Sequence, residues 1–176
     1  LNLPFANDLH KNSIDLIALN KYFQNAIPVL KTNVVVSHVD LDQKNVLWDA
    51  NGKPILIDWE SARRINPTYD LISTAFDWSG IATNNFNRTL FLKMIELYEK
   101  SGGIINKNHL DAAYYGVIGN CLNWMIYNIK RARASEDLEQ RSLSMDQVNQ
   151  TLFKILRLKN EGIESMKIVY AIHNHS

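Results

Sequence analysis

The sequence predicts a mainly α-helical, α+β chain that carries one short β-hairpin. Two observations carry that reading. Apolar residues after Pro67 recur at three- and four-residue spacing, and β-branched or strand-like runs are confined to Val34–Ile57. At 176 residues, 46% hydrophobic and 21% charged, the chain suits a single domain, residues 1–176, around one core.

Ser13 to about Ala26 reads as a helix. Ser13 stands as its cap, Leu16, Leu19, Phe23 and Ile27 share a face, and Pro28 opposes continuation. Val34-Val35-Val36 reads as a short buried strand. Val46-Leu47-Trp48 and Ile55-Leu56-Ile57 flank Asn51-Gly52, a strong turn signal, and form the hairpin. A helix over Arg88–Lys100 ends at Ser101-Gly102-Gly103. Tyr114, Val117, Ile118, Cys121, Leu122, Met125, Ile126 and Ile129 follow amphipathic spacing for four turns, with Gly116 and Gly119 inviting the close approach of another backbone. Ala134–Leu143 reads as a polar loop. Ser144 and Gln147 form a capping box for a helix through about Lys159, and Ile163–Ile172 offers one more helix.

Composition narrows the function. With 19 Lys and Arg against 18 Asp and Glu, the net charge of +1 supplies no field for nucleic acid, despite the local run Lys130-Arg131-Ala132-Arg133. No apolar run reaches the ~18 residues that span a bilayer, so no membrane partner is expected. A single cysteine, Cys121, makes no internal disulfide and fits a reducing cytoplasm.

The stretch SHVDLDQKNVLWDANGKPILIDWE, Ser37–Glu60, sets Asp40, Asp42, Asp49, Asp58 and Glu60 around the hairpin, more carboxylates than its turn requires. The hairpin brings its two ends together, and with them Asn45 and Asp58. An amide oxygen and a carboxylate there are hard ligands that suit Mg²⁺. Asp40, on the same loop but earlier, is free to face a substrate and accept a hydroxyl proton in phosphoryl transfer.

His38-x-Asp40-x₄-Asn45 followed by Ile57-Asp58-Trp59-Glu60 resembles the catalytic loop and metal motif of the protein-kinase-like fold. Its details look closer to the aminoglycoside phosphotransferase and choline kinase branch, with H-x-D-x₄-N and I-D-[WF]-E, and the wider block SHVDLDQKNVLWD…PILIDWESARRINPTYDL looks like the phosphotransferase enzyme family in particular. The resemblance covers roughly residues 13–160 and implies the C-terminal lobe of that fold. It implies Asp40 as catalytic base, Asn45 and Asp58 as Mg²⁺ ligands, His38 as a brace of the loop, and Asp70 as an anchor behind the site. It also implies ATP or GTP as phosphate donor and a small-molecule acceptor. Val39 stands where protein kinases have Arg and many small-molecule kinases Gly, and Asp42 where Ser/Thr protein kinases commonly have Lys. Asp70 follows Asp58 by only twelve positions, too few for a regulated activation segment. These departures favour a small-molecule kinase.

Only 37 residues precede His38, without a Gly-rich loop or a nucleotide-contacting Lys strand, so the expectation is a C-terminal lobe whose N-terminal nucleotide lobe lies outside this chain. The alternative is a binding or regulatory module that keeps the lobe and does no chemistry. Asp42 reads as substrate-side charge or as a solvated loop carboxylate, and Asp77 as a contact for a cationic acceptor or a surface residue. Trp78, Trp124 and Tyr127 read as core packing or as the lining of an acceptor pocket. His173-Asn174-His175 reads as a plain tail or a weak metal ligand.

Overall fold

The computed structural model describes residues 4–174. A short helix α1 (Ala6–Lys11) leads into α2 (Ser13–Leu30). Asn12, not Ser13, takes the cap position, and no side chain caps this end. Pro28 does not stop α2, which runs two residues past it. The missing proline amide strands only the carbonyl of Gln24, an exposed residue that water can satisfy.

Two separate two-stranded ribbons follow where one hairpin was expected. β1 (Val35–Ser37) pairs antiparallel with β4 (Arg63–Ile65), in the register Val36 to Arg64. β2 (Val46–Trp48) pairs with β3 (Pro54–Leu56), in the register Leu47 to Ile55. The β2–β3 turn is built by Asp49, whose Oδ1 accepts from the Asn51 and Lys53 amides, both at 2.8 Å, while Gly52 adopts φ 74°. The β1 strand is exposed, not buried: Val36 keeps 72% of its surface. A two-stranded ribbon has one partner edge, and among the described residues little covers the Val36 side chain.

Asn66 caps α3 (Pro67–Trp78), accepting from the Thr68 and Tyr69 amides, with Pro67 in the first turn. α4 (Arg88–Lys100) ends in a Schellman turn, Gly103 N–H to Tyr98 O and Gly102 N–H to Glu99 O, with Gly102 at φ 88°. α5 (Leu110–Ala134) is the central helix, packed by α2, by α3 and by α6 (Leu138–Arg157). Gly116 and Gly119 admit side chains, not another backbone. A Cβ at Gly119 would sit 2.1 Å from the Phe23 ring of α2, and one at Gly116 would sit 2.7 Å from Leu30 and Tyr69. Ile126 departs from the apolar stripe and is exposed.

The region Ala134–Leu143 is mostly helix, because Asp137 caps α6 by accepting from the Glu139 and Gln140 amides. Ser144 is therefore no cap. It is buried mid-helix, donating to Gln140 O and accepting from Arg131 Nε at 2.7 Å. A π turn (Leu158–Gly162) joins α6 to α7 (Ile163–Asn174). Phe76, Phe91, Tyr114, Ile118, Ile155 and Leu158 form the centre of the core between these helices. No helix of the described residues is long and apolar enough to cross a membrane.

Candidate active site

The loop between β1 and β2 and the exit of β3 meet through backbone bonds. Asp42 opens a 3₁₀ turn, its carboxylate accepting from the Lys44 amide. That turn delivers Asn45 to the start of β2, where its carbonyl accepts from Ile57 N–H at 3.0 Å. Asp58 is the next residue, so the ladder itself sets Asn45 beside Asp58. Asn45 is buried, and its Nδ2 donates to the Asp40 carbonyl at 2.8 Å and to Asp40 Oδ2 at 3.0 Å. Three of the four loop residues singled out by the motifs thus stand at one end of the hairpin.

The fourth, His38, is buried, and its Nε2–H donates to the Ile57 carbonyl at 2.7 Å. This bond fixes the tautomer in the neutral ring and leaves buried Nδ1 without a partner among the described residues. The Trp59 ring packs edge-on to His38 at 4.7 Å, and its Nε1 donates to Leu56 O. His38 and Asn45 therefore grip Ile57 from its carbonyl and its amide. Val39 and Asp58, one on each side of this clasp, are both left-handed, at φ 69° and φ 63°. For a β-branched Val that conformation is strained, by about 1–3 kcal/mol, and such strain gathers at functional sites.

Among the described residues no three His, Cys, Asp or Glu side chains gather as a metal set. Asn45 Oδ1 and the Asp58 carboxylate accept no hydrogen bond within the described residues, which leaves two oxygen donors at one end of the hairpin. Two protein oxygens with the remaining positions open to water and phosphate is the donor pattern Mg²⁺ takes, so the residues present fit that ion.

The other expected site residues divide. Asp70 accepts from Ser37 Oγ and so ties α3 to the end of β1. Trp78 is half-buried and donates Nε1–H to Leu41 O at 2.7 Å, which pins the loop beside Asp40. Asp42 and Asp77 both line a polar cleft of about 160 Å³ that contains Asp40. Asp77 pairs with Lys154 of α6. Burial opposes the Lys154 charge, but Cys121, Asp77 and Asp42 outweigh it and hold the proton above the ordinary lysine range. Burial pushes the Cys121 thiol up to about 11, so at neutral pH the thiol is un-ionised and the carboxylates dominate. Trp124 and Tyr127 are not core: both are about half exposed and stack at 5.4 Å. Trp124 follows the cleft residue Asn120 by one helical turn. His173 is engaged by Val169 O and Glu99, and His175 lies outside the described residues.

The sequence reading missed Arg63, Ser73 and Asn120, which line the same cleft. Arg63 had a faint signal in Arg63-Arg64-Ile65, a short strand pattern hidden between two loops. Ser73 and Asn120 had none, since isolated polar residues on helices carry no positional information.

Comparison with curated proteins gave no match. Among solved structures, the chain is similar to Plasmodium vivax ethanolamine kinase, with 14% identity and a TM-score of 0.45, over 82% of this chain and 39% of that one. The chain therefore spans well under half the length of that protein. The sequence pattern of the phosphotransferase enzyme family matches residues 5–98. That match takes in the His38–Asp58 clasp and covers more than half of the 176 residues, and the chain belongs to the phosphotransferase enzyme family.

Proposed function

We propose that this chain is the C-terminal, catalytic and acceptor-binding lobe of a small-molecule phosphotransferase that moves the γ-phosphate of ATP or GTP to an acceptor hydroxyl. The observation that carries the reading is the Asn45 bridge. Its amide nitrogen holds Asp40, its side-chain oxygen accepts no hydrogen bond among the described residues, and its backbone carbonyl takes the amide of Ile57, the residue before Asp58. In this reading Asn45 and Asp58 hold Mg²⁺, which when bound neutralises charge on the donor phosphates. Asp40 accepts the acceptor's proton: Asn45 occupies Oδ2 and leaves Oδ1 for the hydroxyl. The hydroxyl oxygen then bonds to the γ-phosphorus as the bond to the leaving diphosphate breaks. His38, Trp78 and Asp70 keep the loop in place, so the chain contributes chiefly positioning.

The lobe assignment draws support from the ribbons. Val36, Leu47, Trp48, Ile55 and Trp59 are all substantially exposed around the β strands, a concentration of large apolar groups that suits a covering partner. An upstream nucleotide lobe of the same protein is the partner we assign.

Calorimetric titration of the chain with ADP and ATP, with and without Mg²⁺, tests the site. Mg²⁺-dependent binding that disappears in Asp58→Asn is expected. In the chain joined to its upstream lobe, Asp40→Ala should abolish turnover and spare nucleotide binding. Turnover that survives Asp40→Ala would remove the role assigned to that residue.

A further inference from the structure

The polar cleft around Asp40 carries an imbalance of charge. Asp40, Asp42, Asp70 and Asp77 all line it, and among the described residues Arg63 is its one lining cation. Strand register explains why Arg63 and not Arg64 stands there. Arg63 of β4 pairs with Ser37 of β1, and residues directly opposite share a face of the ribbon. Ser37 donates Oγ–H to Asp70, one of the four carboxylates, so the ribbon carries the Arg63 side chain to the cleft. Arg64, one residue on, belongs to the other face and does not line the cleft.

Arg63 is also uncommitted. The one hydrogen bond of its guanidinium runs from Nη1 to the Ser61 carbonyl of its own turn, at 3.3 Å, and it makes no ion pair among the described residues. Four of its five N–H donors therefore have no acceptor there. Its charge still reaches the cleft: it opposes the burial that raises the pKa of Tyr69, another lining residue. Lys154, by contrast, lines the neighbouring space and is held by Asp77.

We infer that Arg63 is a further catalytic residue of the transfer: its guanidinium grips the γ-phosphoryl group as that group passes from the donor to the acceptor hydroxyl at Asp40. This rests on the phosphotransferase reading above. An acceptor oxygen whose proton goes to Asp40 must stand roughly 3–3.5 Å from the phosphorus before attack, so the phosphoryl group has to enter the cleft. There it meets four carboxylates in a space of about 160 Å³, too small to hold a screening layer of solvent between them. Asn45 and Asp58 do not line the cleft, so charge on the acceptor side of the phosphoryl group is left to Arg63. Its fork of N–H donors matches two oxygens of that group. Arg63 donates to them while the bond from the acceptor oxygen to phosphorus forms. The bond to the bridging oxygen breaks, and its electron pair leaves on the diphosphate. The hydroxyl proton goes to Asp40, and Arg63 gives up none.

Equilibrium dialysis of the chain against ADP and Mg²⁺, with and without aluminium fluoride, tests this. Fluoroaluminate beside ADP stands in for the phosphoryl group in flight. It should tighten ADP binding roughly ten- to a hundredfold, the effect of charge-assisted hydrogen bonds to the surrogate. Arg63→Gln should lose that tightening with no change in melting temperature or in Mg²⁺·ADP binding alone. Arg63→Lys, a point charge without the fork, should keep part of it. Arg64→Gln, which removes the same charge outside the cleft, should keep all of it. Tightening that survives Arg63→Gln would overturn the inference. So would an equal loss in Arg64→Gln, since net charge alone would then be acting. Weaker Mg²⁺·ADP binding in Arg63→Gln without fluoroaluminate would overturn it too, since Arg63 would then serve the diphosphate. The parent chain separates the failures. Mg²⁺·ADP binding that fluoroaluminate does not tighten removes the role of Arg63 alone; absent Mg²⁺·ADP binding removes the phosphotransferase reading and this inference with it.

Discussion

The contact between Asn45 and Asp40 can be tested by one isosteric change. Asn45 Nδ2 stands 3.0 Å from Asp40 Oδ2, in a residue only 3% exposed. In Asn45→Asp an oxygen replaces that donor. Two unit charges about 3 Å apart repel by roughly 5 kcal/mol at an effective dielectric constant near 20. Holding one proton on the pair is cheaper. At pH 7, about three units above the ordinary carboxylate value, that proton costs about 4 kcal/mol. The shared proton restores only one of the two hydrogen bonds that the amide made, so about 1 kcal/mol of hydrogen bonding is lost as well and a net loss of about 5 kcal/mol is expected. The folded variant binds a proton that the unfolded chain releases, so its folded pKa is raised. The variant therefore loses stability relative to the parent as pH rises above about 4, and the deficit shrinks to about 2 kcal/mol near pH 4.5. Urea unfolding followed by tryptophan fluorescence at both pH values reads this directly. Asn45→Ala, which removes two hydrogen bonds, should cost about 2 kcal/mol at either pH. An equal loss at both pH values in Asn45→Asp would show that the two side chains do not touch, and the arrangement proposed for the base would fail with it.

Gly119→Ala should destabilise by about 1–2 kcal/mol although alanine favours helix, because the new methyl meets the Phe23 ring at 2.1 Å; Phe23→Leu in the same chain should recover most of the loss in a thermal melt. Asn66→Ala should cost about 3 kcal/mol. It removes the α3 cap together with the bonds from buried Nδ2 to Thr32 O at 3.0 Å and His109 Nδ1 at 2.8 Å, and a loss near 1 kcal/mol would mean that only the cap matters. Burial, reinforced by Cys121, pushes Tyr69 up to about 12, and burial raises Tyr114 and Tyr170 further still. These acids have raised folded pKa values, so their stabilising effect is complete below about pH 10, the unfolded value, and is lost as pH rises towards the folded values. Tyrosinate absorbance should then lag the urea-unfolded chain above pH 10, and coincident curves would refute the burial.

Long amphipathic helices were legible because periodicity sums many weak burial preferences. The α5 stripe from Tyr114 to Met125 follows from spacing, and the end of α4 from the Ser101-Gly102-Gly103 stop. The starts of elements were less so, because a cap is chosen by competition. Ser144 with Gln147 matches a capping box, but Asp137 reaches two free amides earlier in the chain and wins. Once α6 begins there, Ser144 falls mid-helix and turns to Arg131. Pro28 shows the converse. A proline near a helix end strands one carbonyl, and if that carbonyl is exposed the helix runs on.

The site was legible where spacing translates into register. A hairpin of fixed length returns Ile57 to Asn45, so the separation between the two motifs in sequence becomes proximity in space. Period-two reading fails between them. In an extended strand, His38 and Asp40 would point the same way. Instead Val39, at φ 69°, turns the chain so that His38 is buried against Ile57 O while Asp40 reaches the cleft. No local pattern announces that a valine will adopt this conformation, since its own preference opposes it. The grip of His38 and Asn45 on Ile57 supplies the hydrogen bonds that hold the loop in this strained form. The clasp thus has two effects from one set of bonds: it sets Asp58 beside Asn45, and it keeps Val39 where it aims Asp40. Loosening it at His38 should therefore disturb Asp40 and Asp58 together, a coupling that neither motif reveals alone.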